Sequence, residues 1–499
     1  MHMTPVRLAA SYAALLFVAA CSRGEERALQ ADTLREPAIV TPAAQSWLTD
    51  ARRAEEDTLF EDAARAAWHF ADRNYIPSTG FTRPLETYPI GTVWDLASGL
   101  AATFSAAELG LLPRAELDQR MSRALRTLGQ LPLFDGIGFN KEYVFTSGSL
   151  ITIQRQPGRT GYGISATDEG RLLLWLRIIA NRYPVHAPEV RRVVERLKLE
   201  SMIQDGYLQG HQLSRRTGKT RPYQEGRLGY EQYAARGFHA WGANAEKALD
   251  IRENMGSKVI YGVDLPADKR GRDRLTSEPF TLLGMEAGFT PSELEVARRV
   301  VAVQSARHEQ GDTLTMASED AINIAPDYFF YYAILSPRGS FVIDVQRQAK
   351  VNRPRWVSTK AAFAWHALMP GDYTRLVVDH VRAKARVGGE WGSGVLENGR
   401  PTGHPNLNTA AVVLEAAAYR KLGRPFISLP AASMAPVDSA MPAPTGSVPD
   451  SAPASAVPMP TTPAATPAAT PAKKHAATPG KTHAATPGKT HAHRHKKRS

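Results

Sequence analysis

The sequence predicts a mainly all-α protein, a double-ringed helical toroid of the (α/α)6 type with short strand-like inserts. Three observations lead there. Apolar residues recur at helical spacing over about 390 residues without a Pro/Ser-rich interruption, which predicts one large domain over 42–430. Within it, charged segments with a single apolar stripe alternate with segments apolar nearly all round, and a helix apolar on every side has to be buried. The second kind opens on polar caps, so inner helices starting at one face bring their N-termini to a common cleft.

Taken in chain order, Ala51 to Asn74 is a charged amphipathic segment closed by Gly80-Phe81, and Thr92 to Leu109 is an apolar one opening on Trp94-Asp95-Leu96-Ala97-Ser98. Arg114 to Leu131 is charged again and stops at Asp135-Gly136-Ile137; Ala166 to Tyr183 opens on Thr167-Asp168-Glu169-Gly170-Arg171. Pro188 to Met202 ends at Asp205-Gly206-Tyr207, and Gly226 to Trp241 follows Glu225. Pro291 to His308 precedes Ser358 to Leu368, capped by Ser358-Thr359. Tyr373 to Arg386 ends before Glu390-Trp391-Gly392, and Asn408 to Leu422 completes the series. Strand-like runs are few and short, at Leu150 to Gln154 and Ser340 to Val345, and Ser318-Glu319-Asp320 reads as the opening of a short helix.

Of 499 residues, 43% are hydrophobic and 22% charged, which excludes wholesale disorder and a polytopic membrane protein. A single cysteine excludes a disulfide framework, a Cys zinc site and an iron–sulfur cluster. Its place is informative: Arg7, then apolar Leu8 to Ala20, then Val18-Ala19-Ala20-Cys21 resemble a bacterial lipoprotein signal over 1–20, with Cys21 lipidated. Ser22, where Asp would mark inner-membrane retention, points to the periplasmic face of the outer membrane. A linker over 21–41 follows.

The net charge of +12 invites a nucleic-acid reading until it is divided along the chain. From Ala431 to Ser499 eight Lys/Arg face two Asp, so the Pro/Ala/Thr-rich tail over 431–499 carries +6, half the excess. This composition predicts disorder, and an exported basic tail meets anionic envelope polymers or lipid head groups rather than nucleic acid. His491, His493 and His495 within it would take up a metal only incidentally; no cofactor and no functional metal are expected.

The acids at the inner-helix openings have a plain role available, capping free N–H groups for about 0.5–2 kcal/mol each. Against a purely structural role stands their repeated pairing with aromatics: Trp94 with Asp95, Tyr230 with Glu231, Trp391 with Glu390. Flat apolar faces stack sugar rings while carboxylates bind hydroxyls or perform acid/base chemistry.

At these residues the chain resembles the bacterial domain-of-unknown-function family 3131. The carriers are Trp94 to Ser98, Gly226 to Ala235, Leu275-Thr276-Ser277-Glu278-Pro279-Phe280, Ser358 to Phe363 and Asn408 to Glu415, spread over Ala51 to Pro425. The resemblance implies a toroid similar to glucoamylase-like glycoside hydrolases, including those acting on β-1,2-glucans. Ala410 departs from the family pattern, which carries Asn there.

Other chemistries fit poorly. Gly218-Lys219-Thr220 lacks the leading glycine of a phosphate loop, with Leu213 in its place; Gly161-Tyr162-Gly163-Ile164-Ser165-Ala166 fits a loose dinucleotide fingerprint without alternating strand–helix units around it. His366, on an apolar helix, reads as a core histidine. The candidate acids are Asp95, Asp168, Glu225, Glu319 and Glu390, with Glu225 favoured as general acid behind a flexible basic loop, Arg215 to Arg221, and Asp168 or Glu319 as base or nucleophile. Trp94, Tyr230 and Trp391 are candidate sugar platforms; Arg171 and Arg227, on first turns of inner helices, would pair with the acids or hold an anionic substituent. Two functions remain: an envelope enzyme cleaving or transferring a bacterial polysaccharide or periplasmic glucan, or a glycan-binding or scaffolding lipoprotein without a competent acid pair.

Overall fold

The structure, a computed structural model, describes residues 50–271, 273–311, 314–324, 327–344 and 354–432, all within one unit. Cys21, the linker over 21–41 and the basic tail from residue 433 onward, with His491, His493 and His495, lie outside the described residues. Twelve α-helices are present among the described residues. The first six are α1 (Asp50–Arg73), α2 (Val93–Leu109), α3 (Arg114–Leu128), α4 (Ala166–Arg182), α5 (Ala187–Val194) and α6 (Tyr230–His239). The rest are α7 (Glu246–Leu249), α8 (Glu278–Leu282), α9 (Pro291–Glu309), α10 (Thr359–Leu368), α11 (Asp372–Lys384) and α12 (Leu407–Leu422).

The even-numbered helices close a ring: α2 packs on α4, α4 on α6, α6 on α8, α8 on α10, α10 on α12, and α12 returns to α2. Odd-numbered helices lie outside, α1 against α12 and α2, α3 against α2, α5 against α4, α7 against α6 and α11 against α10. Burial follows the patterning that separates the two kinds. Every residue of α10 is buried, and nearly every residue of α12, whereas α3 buries one stripe, Leu117, Met121, Ala124, Leu125 and Leu128.

Local chemistry sets where the inner helices start. Thr92 and Asp95 form a reciprocal capping box on α2, and Ser165, Ser358 and Asn406 cap α4, α10 and α12 through side-chain oxygens. Two glycines let α4 and α6 touch backbone to backbone: a Cβ on Gly237 would lie 1.9 Å from the carbonyl oxygen of Gly170, and one on Gly170 would lie 2.4 Å from that of Ala234. Any side chain at either position forces the inner ring apart there.

Strands are more extensive than the sequence patterning suggests. Leu150 and Ser340 do lie in strands, Ser149–Ile151 and Gly339–Asp344. Three further hairpins stand on the mouth side or the flank: Tyr207–Leu213 with Thr220–Gln224, Met255–Ile260 with Val263–Asp268, and Glu319–Ile324 with Asp327–Ser336. The Tyr261-Gly262 turn takes positive φ at both residues, 48° and 77°, the form that matches hairpin twist. Ser318-Glu319-Asp320 therefore opens a strand and not a helix. Its partner strand is rich in Tyr and Phe, and cross-strand pairing at Glu319 with Tyr331 overrides the local capping pattern.

Candidate active site

The six inner-helix openings bring Asp95, Asp168, Tyr230, Glu278, Lys360 and Asn408 to one end of the ring, where they meet in two groups. In the first, Ser165 Oγ lies 2.9 Å from Asp168 Oδ1 and 3.1 Å from Glu225 Oε1. Glu225 enters from the end of the Thr220–Gln224 strand and also accepts from Ala166 N–H, at the start of α4, and from Tyr223 Oη–H at 3.2 Å. Lys141 Nζ donates to Tyr223 Oη and Gln212 Oε1, both at 3.0 Å, and its charge is felt by both acids. Beside them, Tyr162 Oη–H donates to Glu142 Oε2 at 2.7 Å and Arg155 pairs with the same carboxylate.

The two acids sit in unlike surroundings. Burial first, then the nearby charge of Glu225, pushes the Asp168 carboxyl up to about 7. Burial also raises Glu225, but the Lys141 charge and donors from Ala166, Ser165 and Tyr223 hold its anion in place. Asp168 has fewer such donors, and its upward shift reaches the neutral range. The hydroxyl geometry agrees: Ser165 Oγ has one hydrogen, so contact with two carboxyls is satisfied when one of them brings its own. Asp95, raised by burial, is engaged by the N–H and hydroxyl of Thr92 and adds to the field at Asp168.

The second group joins four inner helices. Tyr230 Oη–H donates to Glu278 Oε2 at 2.8 Å, and Lys360 Nζ donates to Glu278 Oε1 and Asn408 Oδ1, both at 2.7 Å. Asp320 Oδ1 is 3.7 Å from the same ammonium, while its Oδ2 accepts from Trp356 Nε1–H at 2.7 Å. Glu319, buried and raised by desolvation, accepts from Arg227 at 3.2 Å, and that guanidinium also lies 4.3 Å over the Tyr230 ring. Arg227 stands in the loop before α6 and not on its first turn, because Gly229 at φ 94° delays the helix start.

Beneath both groups, Arg171 is fully buried in the ring. It donates to Ser98 Oγ at 2.9 Å and Glu415 Oε1 at 3.1 Å, lies 3.6 Å from Glu286 Oε1 and stacks 4.5 Å over Trp94. Burial raises both Glu286 and Glu415, the charge of Glu286 adds to the rise at Glu415, and the Arg171 guanidinium opposes it at both. Trp94 is half-buried and meets Tyr230 at 5.7 Å, so this aromatic pair lies between the acid groups.

Asp95, Asp168, Glu225, Glu319, Trp94, Tyr230, Arg171 and Arg227 thus converge. Glu390 and Trp391 do not. Glu390 lies on a short hairpin against the outer helix α1, gripped by Arg73 through Nε at 2.5 Å and Nη2 at 2.9 Å and by His69 at 2.8 Å. Trp391 is core, its Nε1–H on the Ala63 carbonyl and its ring 5.1 Å from Phe363. The Gly-Trp pattern resembles that of the mouth loops, but the hairpin turns outward. His366 is a satisfied core histidine, between Glu56 and Thr374. The loop Arg215 to Arg221 is the ordered tip of a hairpin. Lys141, Glu142, Ser165, Glu278, Asp320, Lys360, Glu286 and Glu415 belong to the constellation without having been singled out. Glu278 and Lys360 carried a signal, a charge on the first turn of an otherwise apolar helix; Lys141 and Glu142, in a turn between strands, carried none. Among the described residues no group of three or more His, Cys, Asp or Glu is arranged to hold a metal ion.

Solved structures share this architecture. One is a protein provisionally assigned as a glucoamylase from Bacteroides caccae, at TM-score 0.56 and 14% identity, covering 74% of this chain and 94% of that one. Another is an endo-β-1,2-glucanase from Chitinophaga pinensis in complex with sophorotriose and glucose, at 0.53 and 12%, covering 74% and 93%. A third is an endo-β-1,2-glucanase mutant from Talaromyces funiculosus in complex with β-1,2-glucan, at 0.51 and 12%, covering 76% and 88%. The fold is therefore the glucoamylase-like α/α toroid. A search of curated proteins finds no match. Residues 62–423 match the family described as protein of unknown function (DUF3131), and the chain belongs to that family.

Proposed function

We propose that the protein is a glycoside hydrolase or transglycosylase acting on a bacterial polysaccharide or periplasmic glucan, with Asp168 as general acid and Glu225 as base or nucleophile. This reverses the roles that the sequence suggests. The observation that carries it is the shared Ser165 hydroxyl: two carboxyls meet on one oxygen, in environments that keep a proton on Asp168 and a charge on Glu225. Such proximity favours the retaining separation, about 5–5.5 Å, over the about 6.5–9.5 Å of inversion. A covalent intermediate on Glu225 would be open to a sugar acceptor as well as to water. Trp94, which is half-buried beside Tyr230, is the candidate sugar platform at this mouth. The sophorotriose and β-1,2-glucan bound by structural neighbours support a saccharide ligand at this mouth.

The lipoprotein-like segment ending at Cys21 supports anchoring at the periplasmic face of the outer membrane, with the basic tail lying along anionic envelope polymers. Incorporation of labelled palmitate, lost in Cys21→Ser, tests that placement. Reducing-end release from a panel of bacterial glucans and exopolysaccharides tests the chemistry. Turnover abolished in both Asp168→Asn and Glu225→Gln, with the fold intact, supports the enzyme; glycan binding without release from any substrate moves the protein to the binding-lipoprotein class.

A further inference from the structure

We propose that the saccharide taken by this mouth is anionic and is selected by a basic lip of two adjoining loops; this rests on reading Asp168 and Glu225 as the centre of a saccharide site. The first loop is the tip of the hairpin Tyr207–Leu213 with Thr220–Gln224 and carries Arg215, Arg216, Lys219 and Arg221. The second is the hairpin Ser149–Ile151 with Pro157–Gly158, whose turn holds Ile153 and whose second strand leads into Arg159. Arg215 Nη2 donates to the carbonyl of Ile153 at 2.9 Å and holds the loops side by side. All five cations are exposed, and none forms an ion pair with another described residue. Their neighbour Arg155 is by contrast committed to Glu142, and Asp135 at the hairpin flank is engaged by the Thr220 hydroxyl at 2.8 Å.

The lip shares its strands with the acid pair. The strand Thr220–Gln224 runs directly into Glu225, and its partner pairs with Gly163–Ile164, which leads into Ser165 and Asp168. At about 3.3 Å per residue, the tip begins about 16 Å along the strand from Glu225, within reach of a polymer of a few sugar units extending from the acids along this hairpin. These like charges repel one another, and none of them is ion-paired with a described carboxylate. A polymer bearing carboxylates or phosphates offsets that repulsion, and the field at a low-dielectric cleft draws such a chain inward. Because the lip is two loops wide and continuous with the cleft, a saccharide entering the cleft suits it better than nucleic acid, which needs a longer basic track.

The test compares the full-length protein with its Arg216→Gln/Lys219→Gln variant, which leaves the basic tail intact, so any difference belongs to the lip. The probes are polygalacturonate, poly(glycerol phosphate), a neutral β-glucan and duplex DNA. Expected is about tenfold weaker binding of the variant to whichever of the first two is preferred, an effect shrinking as salt rises, with neutral-glucan binding unchanged. Preference between the first two separates carboxylate from phosphate as the recognised group. Equal binding of both proteins to both anionic glycans overturns the proposal, as does DNA competing as well as they do. Turnover separates the two readings: lip-dependent binding with no turnover by the unaltered protein retires the hydrolase and keeps the anionic ligand, whereas turnover of neutral glucan alone does the reverse.

Discussion

Lys360, on the first turn of α10, places its ammonium 2.7 Å from Glu278 at the start of α8, and both side chains are only 2% exposed. The pair ties two inner helices across the mouth, and Asn408 and Tyr230 extend the tie to α12 and α6. Removing one charge of a buried pair strands the other, at about 3–5 kcal/mol. Lys360→Met is expected to lower unfolding free energy by that amount in urea titrations, and adding Glu278→Gln to recover part of it. A Lys360→Met protein as stable as the original would show that the mouth is held together elsewhere.

Asp168→Asn is expected to abolish glycan turnover and also to stabilise the fold. The carboxyl ionises near 3.8 when unfolded and at about 7 when folded, so the native state favours the protonated form. Its stabilising contribution is complete below pH 4 and is lost as pH rises to about 7. The variant should therefore gain about 1–2 kcal/mol over the original protein at pH 8 and show no difference at pH 3, read as melting temperature against pH. Turnover by the original protein should fall above about pH 7 as the acid loses its proton.

Glu56 gives the opposite sign. Burial opposes its ionisation, but the hydrogen bond and charge of His366, together with Arg375, bring it down to about 2. That interaction stabilises the protein above pH 4.5 and disappears as pH falls towards 2. Glu56→Gln should cost about 2 kcal/mol at pH 6 and nothing near pH 2, followed by chemical denaturation at each pH.

Glu390→Gln should lower stability by about 1–2 kcal/mol, through the loss of the Arg73 and His69 contacts, while leaving kcat/KM on any substrate within a factor of two. A hundredfold loss of kcat/KM in this variant would place the hairpin in the active site after all.

Much of the ring was legible in the sequence because inner and outer helices differ in a property written along the chain, the width of the apolar face. Polar residues at the segment openings marked the helix starts, so Asp95 and Asp168 could be placed there from Trp94 to Ser98 and Thr167 to Arg171, while the caps themselves, Thr92 and Ser165, came from the structure. What stayed hidden depends on pairing across long separations. Glu319 belongs to a strand because Tyr331 stands opposite it, and Glu390 faces outward because Arg73 and His69, more than 300 residues earlier, receive it. Lys141 reaches Glu225 only through the fold of three strands, with no trace in its neighbours. The order of the proposed acid and base roles was hidden for the same reason: it rests on a lysine and a backbone N–H brought in from elsewhere.

The closure of α12 on both α1 and α2 has a consequence for biosynthesis. A ring sealed by its last helix stays a horseshoe until Leu407–Leu422 has left the ribosome, with the apolar flanks of α2 and α10 open to water. The nascent chain therefore keeps an apolar surface open until late, and truncation before Asn406 removes the helix that closes the ring rather than one of the twelve described helices like any other.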